Sequence, residues 1–164
     1  MKISSLALPV IALSSLGCQA TKPTMSLFDA ARDGNAEQVH SNLEAKADVN
    51  ARGPLKRTVL MIAITGGNKE IVNEILKYKP DVKATDERGW TALHMAAANN
   101  ATSAAEELLK MGADINARNS DKTSPYHMAL LYRSKETAAL LKSKGCDLKI
   151  FPLKVTPRTG GMGG

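Results

Sequence analysis

Apolar and polar residues follow one another along this chain with the spacing of short helices. In one clear segment the apolar residues Ile71, Val72, Ile75 and Leu76 recur at i, i+1, i+4 and i+5, which places them on one face of a helix. We therefore expect short amphipathic helices, each of which buries its apolar face against a neighbour.

Three groups of residues recur every 33 positions, without an insertion. One group pairs an acid with an apolar residue: Asp48-Val49, Asp81-Val82, Asp114-Ile115 and Asp147-Leu148. A second group is Ala30-Ala31, Ala63-Ile64, Ala96-Ala97 and Ala129-Leu130, and a third is Leu27, Leu60, Leu93 and Tyr126. A fixed period of this length indicates a stack of repeated units, in which each unit covers the apolar face of the one before it.

The repeated unit resembles the ankyrin repeat. Residues 89–97, Gly-Trp-Thr-Ala-Leu-His-Met-Ala-Ala, are similar to the opening signature of that family, and residues 108–117 are similar to its closing half. The resemblance implies an all-α solenoid of helix-turn-helix units joined by projecting β-turn loops. It covers one domain, 26–150, with repeats at about 26–52, 53–85, 86–118 and 119–150, and it implies protein binding without enzymatic activity.

Residues with defined helix-end preferences fit this register. Thr58, Thr91 and Ser124 are expected N-caps, and Pro125 suits a first helical position. Gly34 and Gly67 are expected at left-handed positions after the first helix, and Asn100 is a reasonable substitute there. Arg133 departs from this pattern and predicts local strain. The resemblance implies that His94 and His127 tie neighbouring loops together by hydrogen bonds.

The two ends of the array are expected to be polar, because no further unit covers them. At the first end the second helix carries Gln38, His40, Ser41 and Asn42, and at the last end Lys142 aligns with Leu109. Beyond the array, the two prolines of residues 151–164 exclude a helix, and four glycines follow them. This tail is expected either to lie across the last repeat or to bind a partner.

The N-terminal residues have the pattern of an export signal. One lysine precedes an apolar run up to Gly17, which is too short to span a membrane. Residues 1–17 are therefore expected to be a signal peptide of the lipoprotein type, with Cys18 lipidated and residues 18–25 as a tether. Cleavage after Ala20 is the alternative. The first case predicts an outer-membrane anchor facing the periplasm; the second predicts a soluble periplasmic or secreted protein.

Composition narrows the function. The chain has a formal charge of +6, but aromatic residues make up only 4% and basic residues occur in runs of no more than two, so nucleic acid is not an expected partner. No spacing typical of a metal site or of a catalytic nucleophile is present, and no cofactor is expected. The two cysteines are Cys18 and Cys146, so lipidation of the first would leave the second unpaired.

The family resemblance places partner binding on the concave face of loops and first helices. The implied contact residues are Arg52, Leu55, Arg57, Glu87, Arg88, Trp90, Ala98, Asn99, Arg118, Asp121, Thr123, Leu131 and Tyr132. The loops carry six basic residues, Arg52, Lys56, Arg57, Arg88, Arg118 and Lys122, against the acids Asp86, Glu87 and Asp121. This excess predicts an acidic protein partner for a monomeric module. For Trp90, packing across adjacent loops is an equal alternative.

Two roles are consistent with that resemblance. Exported bacterial proteins of similar build include immunity-type inhibitors of secreted antibacterial enzymes, such as lipases, and proteins that support periplasmic enzymes, such as catalase. We expect an envelope-anchored adaptor or inhibitor that binds one protein. A structural protein of the membrane surface is the alternative outside this class, and the sequence does not identify the partner.

Overall fold

A computed structural model describes residues 25–149, and this part of the chain is helical. Its elements are α1 (Leu27–Arg32), α2 (Ala36–Glu44), α3 (Val59–Gly66), α4 (Lys69–Lys77), α5 (Ala92–Ala98), α6 (Thr102–Lys110), α7 (Pro125–Leu131) and α8 (Lys135–Ser143), with a 3₁₀ turn at Pro54–Lys56. Two isolated β-bridges, and no longer strand, occur within these residues. The all-α solenoid predicted from the sequence is confirmed.

The helices form four successive pairs. The second helix of each pair begins at residue 36, 69, 102 or 135, so the structure keeps the period of the sequence. The first helices α1, α3, α5 and α7 pack in a row, and the second helices α2, α4, α6 and α8 pack in a parallel row. The apolar core lies between the two rows and between successive pairs.

Helix ends follow the predicted caps. The side chains of Thr58, Thr91 and Ser124 each accept a hydrogen bond from a backbone N–H in the first turn of α3, α5 and α7. Such a bond replaces one that the helix start cannot form, and losing it costs about 1 kcal/mol. Asn100 (φ 53°) and Arg133 (φ 58°) both adopt the left-handed conformation expected after a first helix. For arginine this conformation is uncommon and strained.

Small side chains let the first helices approach closely. Ala96, Ala97 and Ala129 are completely buried where α5 and α7 pack together. Between the second helices the core is filled instead by larger residues such as Ile75 and Leu108, which are also completely buried. The alanines therefore allow α5 and α7 to pack closely.

The first helix pair corrects one expectation. Asn42 was predicted on a polar outer surface, but it is 1% exposed. Its Nδ2 donates to the carbonyl of Met25 at 3.0 Å, and its Oδ1 accepts from Gln38 Nε2 at 3.2 Å. The amide thus fixes the segment that enters α1, because a buried amide requires partners for its polar atoms.

Asparagine side chains join neighbouring pairs at the turns after α2 and α6. Asn50 Oδ1 accepts from the backbone N–H of Asp81 at 2.8 Å, and Asn116 Oδ1 accepts from that of Asp147 at 2.7 Å. These bonds span 31 residues and link the first pair to the second and the third to the fourth. The intervening position of the column is Lys83, which has no acceptor to offer.

Several predictions fall on residues outside 25–149. These are the signal peptide 1–17, lipidation of Cys18, most of the tether 18–25, and the tail 151–164. Among the described residues, every helix is too short or too polar to cross a membrane.

Candidate partner-binding face

Each of the last three helix pairs is preceded by a tight hairpin loop. We call these loops A (residues 52–58), B (85–91) and C (118–124). Backbone bonds close them: Gly53 N–H to Arg57 O at 2.9 Å, Asp86 N–H to Trp90 O at 3.0 Å, and Asn119 N–H to Thr123 O at 3.1 Å. The loops are therefore fixed hairpins leading directly into α3, α5 and α7.

Neighbouring loop tips are joined through their backbones. The N–H of Glu87 in loop B donates to Leu55 O in loop A at 3.0 Å, and the N–H of Ser120 in loop C donates to Arg88 O in loop B at 2.9 Å. Gly89 lies at the second contact with φ +73°, and a Cβ there would stand 3.1 Å from the nitrogen of Ser120. The three tips thus form one continuous edge.

Asp86 is a structural residue of loop B, although it was counted above as a surface charge. It is 6% exposed, and its Oδ1 accepts from the N–H groups of Arg88 and Trp90 at 2.8 and 2.9 Å. Its Oδ2 lies 3.6 Å from Arg57 Nε. A buried carboxylate needs such donors, so Asp86 of loop B and half-buried Arg57 of loop A compensate each other's charge between the two loops.

Two of the predicted contact arginines also brace the loops. Arg52 Nη1 donates to Lys56 O at 3.2 Å and to Thr85 O at 2.9 Å, so it joins loop A to loop B. Arg118 Nη1 donates to Lys122 O at 3.0 Å, and its Nη2 lies 3.4 Å from Asp147 Oδ2. Carbonyl groups carry no net charge, so these bonds do not compensate the positive charge of Arg52 on the surface.

The exposed charge of the loop edge remains basic after these pairs are considered. Its exposed basic residues are Arg52, Lys56, Arg88 and Lys122, and its exposed acids are Glu87 and Asp121. The excess is smaller than the sequence suggested, because Arg57 and Arg118 each have an acid nearby.

Thr123 is not available to a partner, which corrects its place among the predicted contact residues. It is 5% exposed, its N–H donates to Asn119 Oδ1 at 2.9 Å, and its hydroxyl lies 3.5 Å from Met128 Sδ. The threonine is needed to close loop C onto α7, so its side chain points into the framework.

Trp90 is half-buried and packs against the hydrophobic core. Its ring centroid is 6.2 Å from that of His94, and its Nε1 is buried without a hydrogen-bond partner among the described residues. These contacts favour the packing interpretation of Trp90, with only part of the indole available to another protein.

His94 has the framework role that the resemblance implied. The N–H of Thr91 donates to His94 Nδ1 at 3.1 Å, so the proton of the neutral ring lies on Nε2, which faces Thr123 O at 3.1 Å. The ring is completely buried, and this burial lowers its pKa. A neutral imidazole therefore ties loop B to loop C.

The ends of the first helices carry the apolar part of the face. Leu131 and Tyr132, at the end of α7, are 50% and 58% exposed, and neighbouring Leu130 is 45% exposed. At the end of α5, Ala98 is half-buried and Asn99 is exposed. Leu55 adds a further apolar side chain, 48% exposed, at the tip of loop A.

Leu130 was missed by the sequence reasoning. Its column contains Ala31, Ile64 and Ala97, which are all buried, so the register predicted a core residue. The signal that could have revealed it is its position in the fourth helix pair, because residues 25–149 contain no further pair to cover the column.

Clusters of metal-ligating side chains and the thiol of Cys146 are the remaining candidates for chemistry. Among residues 25–149, no group of three or more histidine, cysteine, aspartate or glutamate side chains is placed to hold a metal ion. Cys146 is 7% exposed, and burial raises the pKa of its thiol. A thiol with a raised pKa is a poor nucleophile at neutral pH.

Comparison with known families identifies the repeated unit. A family model described as ankyrin repeats (3 copies) matches residues 27–119, which is more than half of the chain. The match runs from the start of α1 to the first residues of loop C. No curated protein matches the chain significantly.

Proposed function

Because the chain belongs to the ankyrin-repeat family, whose members are protein–protein interaction modules, we propose that it binds one protein through loops A to C and the exposed ends of α5 and α7. The exposure of Leu131 and Tyr132 at the end of a first helix carries this proposal. A tyrosine beside a leucine offers apolar area and a polar tip, a combination favoured at protein interfaces.

We propose that the fourth helix pair is a fourth repeat of the same kind. It continues the 33-residue spacing, and Ser124 and Pro125 begin α7 as Thr91 and Ala92 begin α5. Including it matters for function, because Leu131 and Tyr132 lie on this pair.

The partner we propose is acidic where it meets the loop edge. Arg52, Lys56, Arg88 and Lys122 line that edge, and its acids Glu87 and Asp121 leave a positive excess. Complementary charge at the rim of an interface speeds association and selects partners more than it raises affinity. Binding should therefore weaken with salt mainly through a slower association rate.

For the cellular setting we propose an exported, lipid-anchored adaptor or inhibitor. The support is the N-terminal sequence, with an apolar run of signal-peptide length that ends in Gly17-Cys18. Mass spectrometry of the mature protein tests the anchor: acyl groups on Cys18 are expected, and an unmodified chain beginning at Thr21 would contradict it.

Capture from the native envelope tests the binding proposal. The tagged protein should retain one dominant protein, whereas the variant Arg88→Ala/Leu131→Ser/Tyr132→Ala should lose it. A matched control is Glu37→Ala/Lys69→Ala/Lys142→Ala, which alters three exposed residues on second helices and changes the net charge by the same amount. Trp90 is left in place because its packing contacts would confuse folding with binding.

The outcomes separate the finer roles. A captured lytic enzyme or lipase that loses activity when bound would favour an immunity-type inhibitor, and a captured catalase with increased activity would favour a helper. Equal retention by the face variant and by wild type, with loss in the control variant, would place the binding surface on the second helices and refute the proposal.

A further inference from the structure

The last helix pair partly exposes a surface that is buried in each of the three earlier pairs. Three columns of the repeat are buried in the first three pairs: Leu27, Leu60 and Leu93; Ala31, Ile64 and Ala97; Val39, Val72 and Ala105. The fourth members are Tyr126, Leu130 and Ala138, of which Leu130 is 45% exposed and the others are half-buried. We call these three residues the end face.

The end face is apolar, whereas the outer surface of a terminal repeat is ordinarily polar. Leucine at position 130 is also larger than the alanines at positions 31 and 97. Burying an apolar side chain of this size lowers the free energy of the folded state, and an exposed leucine does not contribute that stabilisation. The residues of the end face therefore favour a cover.

A buried polar atom points to the same place. In the third pair His94 Nε2 bonds to Thr123 O of the following loop. In the fourth pair the equivalent atom, His127 Nε2, is buried but has no well-formed hydrogen bond to residues 25–149. One period after Thr123 the chain reaches Thr156, so a backbone carbonyl near that residue is the expected partner.

The described chain ends next to this surface. A backbone contact with Lys149 acts on the ring of His127, opposing the fall in its pKa that burial causes. Lys149, the last described residue, therefore lies beside His127 of α7, the helix that carries two of the three end-face residues. Six extended residues span about 20 Å, whereas a seven-residue helix such as α7 is about 10 Å long. A segment of six residues is therefore long enough to cross the end face.

From Phe151 to Thr156, large apolar side chains alternate with proline or polar residues. Phe151, Leu153 and Val155 are apolar, and Pro152, Lys154 and Thr156 separate or follow them. A period of two places the apolar side chains on one side of an extended segment. Proline at position 152 agrees with this conformation, since it disrupts helices.

We propose that residues 150–156 cross the end face in extended form, so that Phe151, Leu153 and Val155 cover Leu130 and a backbone carbonyl pairs with His127 Nε2. The tail is preferred to a separate protein as the occupant because covalent linkage gives it a high effective concentration at this surface. The proposal does not depend on the partner-binding face.

A double-mutant cycle in the full chain tests the cover. The tail variant Phe151→Ser/Leu153→Ser should lower Tm by roughly 5 °C and speed hydrogen exchange in α7 and α8. The control Lys154→Ser/Thr156→Ser should stay near wild type, since it changes the other side of the segment. Leu130→Ser should have much less effect in the tail variant than in wild type.

Crosslinking gives a readout that does not rely on stability. In a chain with Cys18→Ser and Cys146→Ala, the pair Leu130→Cys and Leu153→Cys should oxidise to an intrachain disulfide. The pair Leu55→Cys and Leu153→Cys should remain reduced. Additive effects of the tail and Leu130 substitutions, with no crosslink, would overturn the proposal. A concentration-dependent dimer that Leu130→Ser abolishes would also overturn it, with a second copy as the occupant.

Discussion

Replacing His94 with methionine isolates the hydrogen bonds that hold loop B to loop C. Methionine is apt because Met61, one period earlier, fills the same column while completely buried. Methionine supplies an unbranched side chain that fills this position, but it lacks both ring nitrogens of histidine. The partners affected are the N–H and the hydroxyl of Thr91, which both face Nδ1, and the carbonyl of Thr123.

The expected loss follows from what the two backbone groups retain. The N–H of Thr91 would be buried without its acceptor, at a cost of about 1–3 kcal/mol. The carbonyl of Thr123 still accepts from the N–H of Asn119 at 3.1 Å, so its loss is about 1 kcal/mol. We expect the free energy of unfolding to fall by about 3 kcal/mol.

Urea unfolding followed by circular dichroism and by the fluorescence of the single tryptophan measures this change. Trp90 lies 6.2 Å from His94 between ring centroids, so its emission reports on the altered region. The control Met61→Leu, which preserves volume without touching a ring hydrogen bond, should cost less than about 1.5 kcal/mol. A loss below about 0.5 kcal/mol in His94→Met would refute the assigned role of these bonds.

The pH dependence of stability supplies an independent readout of the same residue. Burial holds the pKa of His94 below its ordinary value of 6.5 in the folded chain. As pH falls below about 6.5 the unfolded chain is protonated first, so stability decreases until the folded pKa is reached. His94→Met should reduce this decrease. His127, whose pKa burial also lowers, should leave a dependence of the same sign.

Further predictions concern the joints between helix pairs. Lys83→Asn should restore the bond that Asn50 and Asn116 form in the other pairs and raise the free energy of unfolding by about 0.5–1 kcal/mol; equal urea midpoints for Lys83→Asn and Lys83→Ala would contradict this. Gly53→Ala should lower the free energy of unfolding by about 1–3 kcal/mol, because the added Cβ would lie 2.2 Å from the ring of buried Phe28. Thermal unfolding measures that loss, and Phe28→Leu should relieve part of it; an unchanged Tm would disprove the close approach.

The framework was predictable because its rules act locally. Thr91 and Ser124 cap helices through bonds three residues along the chain, and Asn100 ends a first helix by adopting a left-handed conformation. These features depend on sequence spacing alone. The 33-residue register then placed every helix pair, because each unit contacts mainly the next one.

The binding face was less predictable because burial depends on contacts between loops. Asp86 and Arg57 resemble surface charges in the sequence, but the packing of loop B against loop A brings them within 3.6 Å of each other. Thr123 lies in a loop and is nevertheless buried, because it completes the junction with α7. Asn42 reads as polar surface until its contact with Met25 is known.

The bonds between loop tips have a consequence for how this protein could change its partner. The links from Glu87 to Leu55 and from Ser120 to Arg88 use only main-chain atoms, so most substitutions at these positions leave both donor and acceptor in place. Recognition and folding are thereby uncoupled along the edge. A library randomised at Leu55, Glu87 and Arg88 should remain largely folded while its binding preferences diverge.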